Sequence, residues 1–343
     1  MGITEIKDYA YPNARIRAMK SHLLDRKDFE RACRIDSLSS FVGFLEDNGY
    51  VNLLDIKEME YTQNLIEENL LMHLIDNSKK IYELSHKRAR NFMYERIMRH
   101  EISAIKCIIN SKSQDRYSFR IALSDELKDM FSKLKDSVDI ENIVDAFNGT
   151  RYETILNDAL EGYKKTNLIF TINIALDKYH FEKLFESMRT LNSNDRRIAA
   201  EIIGIEVDTI NIMTVLRTRG MKNAEDYIIP HYHHLNNDIL MDCMKSRDVD
   251  GIVERLSETA YSDVMKRGFN EYKKINSLFA FEKALKENFI LFNKILLTRR
   301  IFMISTLLTF LNLKENEIEN LRKIAVGINN QLTEKEIEDI IIY

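Results

Sequence analysis

Residues 208–217 read DTINIMTVLR, and this stretch decides how the rest of the chain is interpreted. Ile212, Val215 and Leu216 stand at positions i, i+3 and i+4, the spacing of an apolar stripe along one face of an α-helix. Asp208 comes before the stripe and a basic residue closes it, the arrangement that the helix dipole favours in a helix beginning nearby. The stretch therefore predicts an amphipathic helix with an acid near its start.

The same pattern occurs three times along the chain. An acid is followed, three residues later, by a small or amide residue and then by aliphatic residues. The copies are Glu101, Ala104, Ile105 and Ile108; Asp208, Asn211, Ile212 and Val215; and Glu317, Asn320, Leu321 and Ile324. Their acids lie 107 and 109 residues apart. This regular spacing indicates an internal repeat.

A second landmark repeats at nearly the same period. A tyrosine follows a large apolar residue by five positions, precedes two apolar residues, and is followed 24 positions later by a leucine. The tyrosines are Tyr50, Tyr152 and Tyr261, and the leucines are Leu74, Leu176 and Leu285. We interpret the chain as three helical copies of one unit, over residues 1–121, 122–230 and 231–343.

The composition is that of a helical protein without an obvious ligand. Ten glycines and two prolines in 343 residues leave little to interrupt long helices, which predicts an all-α fold. A net charge of -4 gives no overall attraction to nucleic acid or to an anionic membrane. Three widely separated cysteines do not imply a disulfide framework, and a reducing compartment is expected. No apolar run approaches the length needed to span a bilayer, and no apolar signal sequence opens the chain.

Two local patterns are ambiguous. Asn48-Gly49 is typical of a β-hairpin, but the third copy has Thr259-Ala260 there, so a helix-ending loop is favoured. Residues 167–176 are rich in β-branched side chains, yet their position in the repeat favours a buried helix over a strand. We also expect helices over residues 13–24 and two long ones within 57–112.

Hydroxyl side chains predict where several helices begin. Each precedes a segment of helical character at a distance suited to N-capping. These candidate caps are Ser37, Ser124 and Thr333.

The chain resembles the C subunits of the archaeal and bacterial A/V-type rotary ATPases, a family whose eukaryotic relative is the d-type subunit of vacuolar ATPases. The N-terminal motif of that family matches Asn13, Ala14, Arg15, Arg17, Leu23, Leu24, Leu45 and Tyr50. Its later motifs match Asp208, Asn211 and Arg217, and then Glu317, Ile318, Asn320, Leu321, Arg322 and Ile324. Asn48 departs from the family, which more often has threonine there. The resemblance covers the whole chain.

This resemblance implies an all-helical funnel of three lobes with pseudo-threefold symmetry and without a catalytic residue or cofactor. It implies a central-stalk coupling subunit, a socket in which the foot of the shaft (subunits of the D and F type) lodges. The socket would sit on the membrane rotor ring of proteolipid subunits, at the cytoplasmic face of the membrane, and couple ion transport to ATP synthesis or hydrolysis.

Eight side chains are candidates for a partner interface. Arg15, Arg17 and Lys20 share the first helix and would meet acidic loops of the ring or shaft, although a solvated helical face gives the same pattern. The repeated residues Glu101, Asp208, Asn211, Glu317 and Asn320 would line the funnel. The alternative, which we favour, is that these five make structural contacts repeated because the fold repeats. The three tyrosines are expected to close each lobe with a buried ring.

Two further clusters are weaker candidates. Residues 79–99 form the densest basic region, which contact with lipid headgroups or a plain solvated helix surface would explain. His231, His233 and His234 resemble metal ligands, although an inter-repeat loop is the commoner explanation. No phosphate-binding loop or nucleophile elbow is found. Two alternatives to the rotor subunit stay open. The helical repeats would also suit an adaptor of another assembly, and the histidine cluster would suit a metal-dependent enzyme.

Overall fold

The computed structural model describes residues 3–50, 61–110, 139–299 and 303–343, with side chains from residue 8 onward. All regular secondary structure in these ranges is helical. The helices are α1 Ile3–Lys20, α2 Arg26–Cys33, α3 Leu38–Asp47, α4 Gln63–Leu84, α5 Lys87–Ile97, α6 Arg99–Asn110, α7 Ile140–Asp145, α8 Glu153–Thr166, α9 Ile169–Ser187, α10 Ser193–Thr218, α11 Asn237–Met244, α12 Val249–Arg255, α13 Ser262–Ile275, α14 Phe279–Arg299, α15 Ile304–Asn329 and α16 Glu334–Ile340. The predicted all-α class is confirmed. No described helix is both long and apolar enough to cross a bilayer.

The chain divides into two compact units. The first unit comprises Met1–Asn13, Leu191–Leu313 and Ile342–Tyr343, and the second comprises Ala14–Thr190 and Lys314–Ile341. Each unit has its own apolar core, and each core joins helices from either side of a predicted repeat boundary. The division into residues 1–121, 122–230 and 231–343 therefore describes the period of the sequence. That three structural lobes follow these bounds stays a prediction.

Short polar side chains start the helices where the sequence predicts. Ser37 accepts a hydrogen bond from the backbone N–H of Ser40 and caps α3. Thr333 and Glu336 form a reciprocal capping box at the start of α16. Both predicted caps are confirmed, while Ser124 lies outside the described residues. The caps satisfy N–H groups that a helix leaves without partners in its first turn.

The Asn48-Gly49 pair ends a helix, as predicted. Gly49 has a φ of 85°, which an L-residue with a side chain rarely adopts. The N–H of Tyr50 bonds to the carbonyl of Leu45 at 2.9 Å, and the N–H of Gly49 bonds to that of Glu46 at 3.0 Å. These two bonds are those of a Schellman motif, which turns the chain and brings Tyr50 into the core.

Most of the segment 167–176 is helical, as predicted, because residues 169–176 open α9. Asn167 precedes the helix with a φ of 55°, and its N–H bonds to the carbonyl of Tyr163 at 2.7 Å. Asn276 repeats the arrangement before α14, with a φ of 49° and a 2.7 Å bond to Tyr272. Asparagine tolerates this left-handed conformation better than most residues. The two helical hairpins are thus built alike, 109 residues apart.

Two helix boundaries differ from the sequence prediction. The first helix runs from Ile3 to Lys20 rather than over residues 13–24, with Pro12 inside it. Residues 57–112 contain three described helices rather than two, because α5 ends at Ile97 before α6 starts at Arg99. Periodicity marks the helical face in both places, and it does not show where one helix gives way to the next.

Gly268 in α13 and Gly162 in α8 differ in the space around them, so we predict that alanine has opposite effects on stability at the two positions. A Cβ at Gly268 would lie 2.8 Å from Cδ1 and 3.1 Å from Cα of Phe281. Gly268→Ala is therefore expected to cost about 1–3 kcal/mol of unfolding free energy. A Cβ at Gly162 in α8 would meet only Thr171, at 3.8 Å. Gly162→Ala is expected to stabilise by about 0.5–1 kcal/mol through helix propensity.

Urea unfolding of both variants measures this difference. Gly162→Ala is the control for the general effect of alanine in a helix of this protein. Two shifts of the same sign would contradict the packing of Gly268 against Phe281.

Candidate partner interface

The three landmark tyrosines are buried, and each donates its hydroxyl hydrogen bond to one of the three repeated acids. The bonds run from Tyr50 to Glu317 at 2.5 Å, from Tyr152 to Glu101 at 3.0 Å and from Tyr261 to Asp208 at 2.9 Å. Burial and then the neighbouring carboxylate raise the pKa of each phenol, so the hydroxyls keep their protons and donate. Hydrogen bonds to an ionised acceptor are stronger than neutral ones. We call these three contacts the acid–tyrosine pairs.

The acid–tyrosine pairs connect different predicted repeats. Glu101 precedes Tyr152 by 51 residues and Asp208 precedes Tyr261 by 53. The third pair joins Glu317 to Tyr50, which lies 267 residues earlier. Each tyrosine is thus bonded to the acid of the predicted repeat before it, and the first tyrosine is bonded to the acid of the last.

Asp208 receives further donors from the segment that leads into α11. Its carboxylate accepts the backbone N–H of His233 at 3.1 Å and that of His234 at 2.7 Å. Glu317 does the same in the second unit, where it accepts the N–H of Leu24 at 2.6 Å just before α2. Asp208 and Glu317 therefore each hold the segment that leads into a helix, α11 or α2, as well as a tyrosine.

Asn211 completes this arrangement one helical turn beyond Asp208. Its side chain donates to the carbonyl of Ile229 at 3.0 Å and accepts the N–H of Ile229 at 2.9 Å. An amide can satisfy both polar groups of one backbone residue because it carries a donor and an acceptor. Asn320, at the equivalent position of the third copy, is also fully buried.

The predicted interface residues fall into two groups. Glu101, Asp208, Asn211, Glu317 and Asn320 are all at most 3% exposed. Their contact with another subunit stays a prediction, and the structure gives Glu101, Asp208, Asn211 and Glu317 the contacts within the chain described above. Asp208 also lies 15 residues into α10, which begins at Ser193, so it does not start a helix as the dipole pattern predicted.

Arg15, Arg17 and Lys20 form the second group and are exposed on α1. Ile16 between them is fully buried, so the helix presents its cations away from the core. Within the described ranges, none of the three forms an ion pair with a carboxylate. These side chains are available to an acidic partner, and their role stays a prediction.

A buried ionic network that the sequence reasoning missed lies in the second unit. Arg96 is 1% exposed and makes two parallel hydrogen bonds, at 3.1 and 3.0 Å, to the carboxylate of Glu315. Arg99 approaches the same carboxylate at 3.2 Å. Burial raises the pKa of Glu315, but the two guanidinium groups outweigh it and lower the pKa to about 2. A cavity of about 290 Å³ lies beside this network.

His100 borders the network, and its burial leads us to expect that the folded protein loses stability at acidic pH. Its Nε2 lies 3.0 Å from Oγ of Ser78, and burial lowers its pKa to about 4. As pH falls below about 6.5, the unfolded chain takes up a proton at this histidine while the folded chain does not. The stabilising preference for the neutral ring is therefore lost progressively between about pH 6.5 and pH 4. At pH 5 this amounts to about 2 kcal/mol.

Urea unfolding at pH 7.5 and pH 5 checks this expectation. His100→Gln should reduce the difference in unfolding free energy between the two pH values by about 2 kcal/mol. His22→Gln, at an exposed position, is the control and should leave the difference unchanged. An unaltered difference in the His100 variant would contradict the assignment.

Two residues of the histidine cluster contribute to an acid–tyrosine pair through their backbones. His233 and His234 give backbone N–H groups to Asp208, and their rings lie 4.2 Å apart. Among the residues that the structure describes, no group of three or more histidine, cysteine or acidic side chains is arranged to hold a metal ion.

Comparison with known proteins places these features in a family. Residues 12–340 match the family described as ATP synthase (C/AC39) subunit. The chain is 28% identical to the C subunit of the A-type ATP synthase of Methanocaldococcus jannaschii, over 99% of this chain and 88% of the relative. It is 26% identical to that of Methanothermobacter thermautotrophicus, over 94% and 84%. It is 28% identical to that of Pyrococcus horikoshii, over 97% and 90%.

Proposed function

The chain belongs to the ATP synthase (C/AC39) subunit family, and from this premise we propose that it is the central-stalk coupling subunit of a rotary ATPase. In this role it is a non-catalytic socket between the central shaft, made of D- and F-type subunits, and the membrane rotor ring of proteolipid subunits. It would act at the cytoplasmic face of the membrane. Three lobes enclosing a central cavity, the funnel expected from the resemblance, belong to this proposal.

The acid–tyrosine pairs are the observation that carries the proposal. A protein that transmits torque has to resist shear between its lobes. Each pair ties one repeat to the next through a buried, charge-assisted hydrogen bond, and the pair of Glu317 and Tyr50 ties the last repeat to the first. Closely packed interiors of this kind are stiff and transmit strain.

The exposed cations of α1 offer a place for a partner. Arg15, Arg17 and Lys20 project from one helix and would pair with acidic side chains of the ring or shaft. Such charge complementarity favours fast and specific association. We expect Arg15→Glu, Arg17→Glu and Lys20→Glu, combined in one variant, to weaken assembly at least tenfold, as like-charge contacts at an interface do.

The assembly test uses purified shaft and ring subunits with the full chain. Co-purification and a cross-linking map should place the chain against both. The control variant reverses three exposed cations of α13 instead, Lys266, Arg267 and Lys273. Failure of the unmodified chain to associate with either partner would overturn the proposal, whereas equal effects in the two variants would reject α1 as the contact.

The coupling test compares complexes with and without this chain. The catalytic head should hydrolyse ATP in both, while ion pumping should require the chain and return when it is added back. If the complex that lacks the chain no longer hydrolysed ATP, a purely mechanical role would be contradicted.

A further inference from the structure

The turn between α4 and α5 carries a dense group of cations, which we call the basic elbow: Lys79, Lys80, Lys87, Arg88 and Arg90. Residues 79–90 contain these five cations and one acid, Glu83, a net charge of +4 in a chain whose total is -4. Lys80, Lys87, Arg88 and Arg90 are exposed and Lys79 is half-buried. No cation of the elbow forms an ion pair with a carboxylate in the part of the chain that the structure describes.

The basic elbow has a fixed shape. The carbonyl of Arg88 accepts a hydrogen bond from Oγ1 of Thr190 at 3.0 Å, which holds the start of α5. Oγ of Ser85 bonds to the carbonyl of Ile81 at 2.9 Å and closes the end of α4. The cations are therefore presented by two anchored helix ends.

The cations do not serve the stability of α5. The first turn of α5 contains no acid, and His86 before it makes no side-chain capping bond. Positive side chains at this end oppose the helix dipole. By contrast, α10 begins with Asn192 as a cap and Asp195 in its first turn. An outside anion would offset the mutual repulsion within the elbow.

Two tyrosines lie in or next to the basic elbow, one within it and one four residues beyond it. The rings of Tyr82 and Tyr94 lie 6.2 Å apart, and the guanidinium of Arg90 lies 5.8 Å from the ring of Tyr82. Tyr94 is 39% exposed. Tyrosine and cations together are characteristic of surfaces that meet the headgroup region of a bilayer.

We propose that the basic elbow binds the headgroups of anionic phospholipids. A membrane presents a continuous anionic plane, which can meet several of the four exposed cations of the elbow at once. The elbow carries +4 of a total charge of -4, so the rest of the chain carries -8. An anionic membrane repels the rest of the chain, which turns the elbow toward the membrane. This lipid contact goes beyond the coupling role, and either can fail without the other.

The test is co-sedimentation of the full chain with vesicles. Binding to phosphatidylcholine vesicles that contain phosphatidylglycerol should exceed binding to phosphatidylcholine alone and should weaken with salt. Each neutralised cation is expected to weaken binding about fivefold. Combining Lys80→Gln, Lys87→Gln, Arg88→Gln and Arg90→Gln should therefore weaken it about 600-fold.

A matched control neutralises four exposed cations of α13: Lys266→Gln, Arg267→Gln, Lys273→Gln and Lys274→Gln. Both variants lose four positive charges, so overall charge is equal, and circular dichroism checks that both fold. Retained binding in the control supports the proposal. Equal losses in the two variants, no preference for phosphatidylglycerol, or binding to soluble polyglutamate without binding to vesicles would overturn it, and none of these outcomes touches assembly with the shaft and ring.

Discussion

Asp208→Ala is expected to lower the free energy of unfolding by about 4 kcal/mol, because one buried and two partly buried donors lose their acceptor together. The backbone N–H groups of His233 and His234 and the hydroxyl of Tyr261 all bond to this carboxylate. Asp208 itself is fully buried, so the smaller side chain also leaves a void. Urea unfolding followed by circular dichroism measures the change.

Asp158→Ala is the matched control for this substitution. Asp158 is an exposed acid in the middle of α8, so the same change there should stay within about 0.5 kcal/mol. Similar losses at the two positions would contradict the role given to the buried carboxylate.

A double-mutant cycle separates the tyrosine from the backbone donors. Tyr261→Phe alone should cost about 1.5–3 kcal/mol, since it leaves the charged acceptor with one donor fewer. Because the two residues share one bond, the combined loss with Asp208→Ala should be smaller than the sum of the single losses. Additive losses would mean that the 2.9 Å bond between them contributes little.

The sequence predicted which residues are equivalent and could not predict which of them touch. The period of about 108 residues identified Tyr261 and Asp208 as members of two separate series. One signal of their pairing was present: the tyrosine follows the acid by nearly the same number of residues in two copies, 51 and 53. The backbone donors of His233 and His234 left no such signal, since any residue supplies an N–H group.

The ionic network escaped sequence reasoning for a different reason. Arg96 and Glu315 lie 219 residues apart, so the local pattern around either residue does not point to the other. A single charged residue in a helical pattern is normally read as a solvated position. Only the packing of α5 and α6 against α15 reveals that these charges are buried together.

Glu315→Gln is expected to lower the free energy of unfolding by about 3–5 kcal/mol, a cost typical of breaking a buried ion pair from one side. The change leaves the Arg96 guanidinium, 1% exposed, without the carboxylate that accepts its two parallel hydrogen bonds. The same glutamate-to-glutamine change at Glu30, which pairs with the exposed Arg26, should cost less than about 0.5 kcal/mol because water replaces the partner there. Urea unfolding at pH 7.5 compares the two.

The combined variant Arg96→Met/Glu315→Leu distinguishes a lost attraction from a stranded charge. Replacing both members of a buried pair by apolar side chains of similar volume is often nearly neutral, because the cost of desolvating two charges disappears with them. Arg99 loses the same carboxylate in both variants, and its partly exposed guanidinium can be hydrated in both. We therefore expect the combined variant to be more stable than Glu315→Gln alone by about 2 kcal/mol or more. If the combined variant is instead less stable than both the unmodified protein and Glu315→Gln, the attraction between Arg96 and Glu315 outweighs the cost of desolvating them. The network would then be a principal source of stability in the second unit.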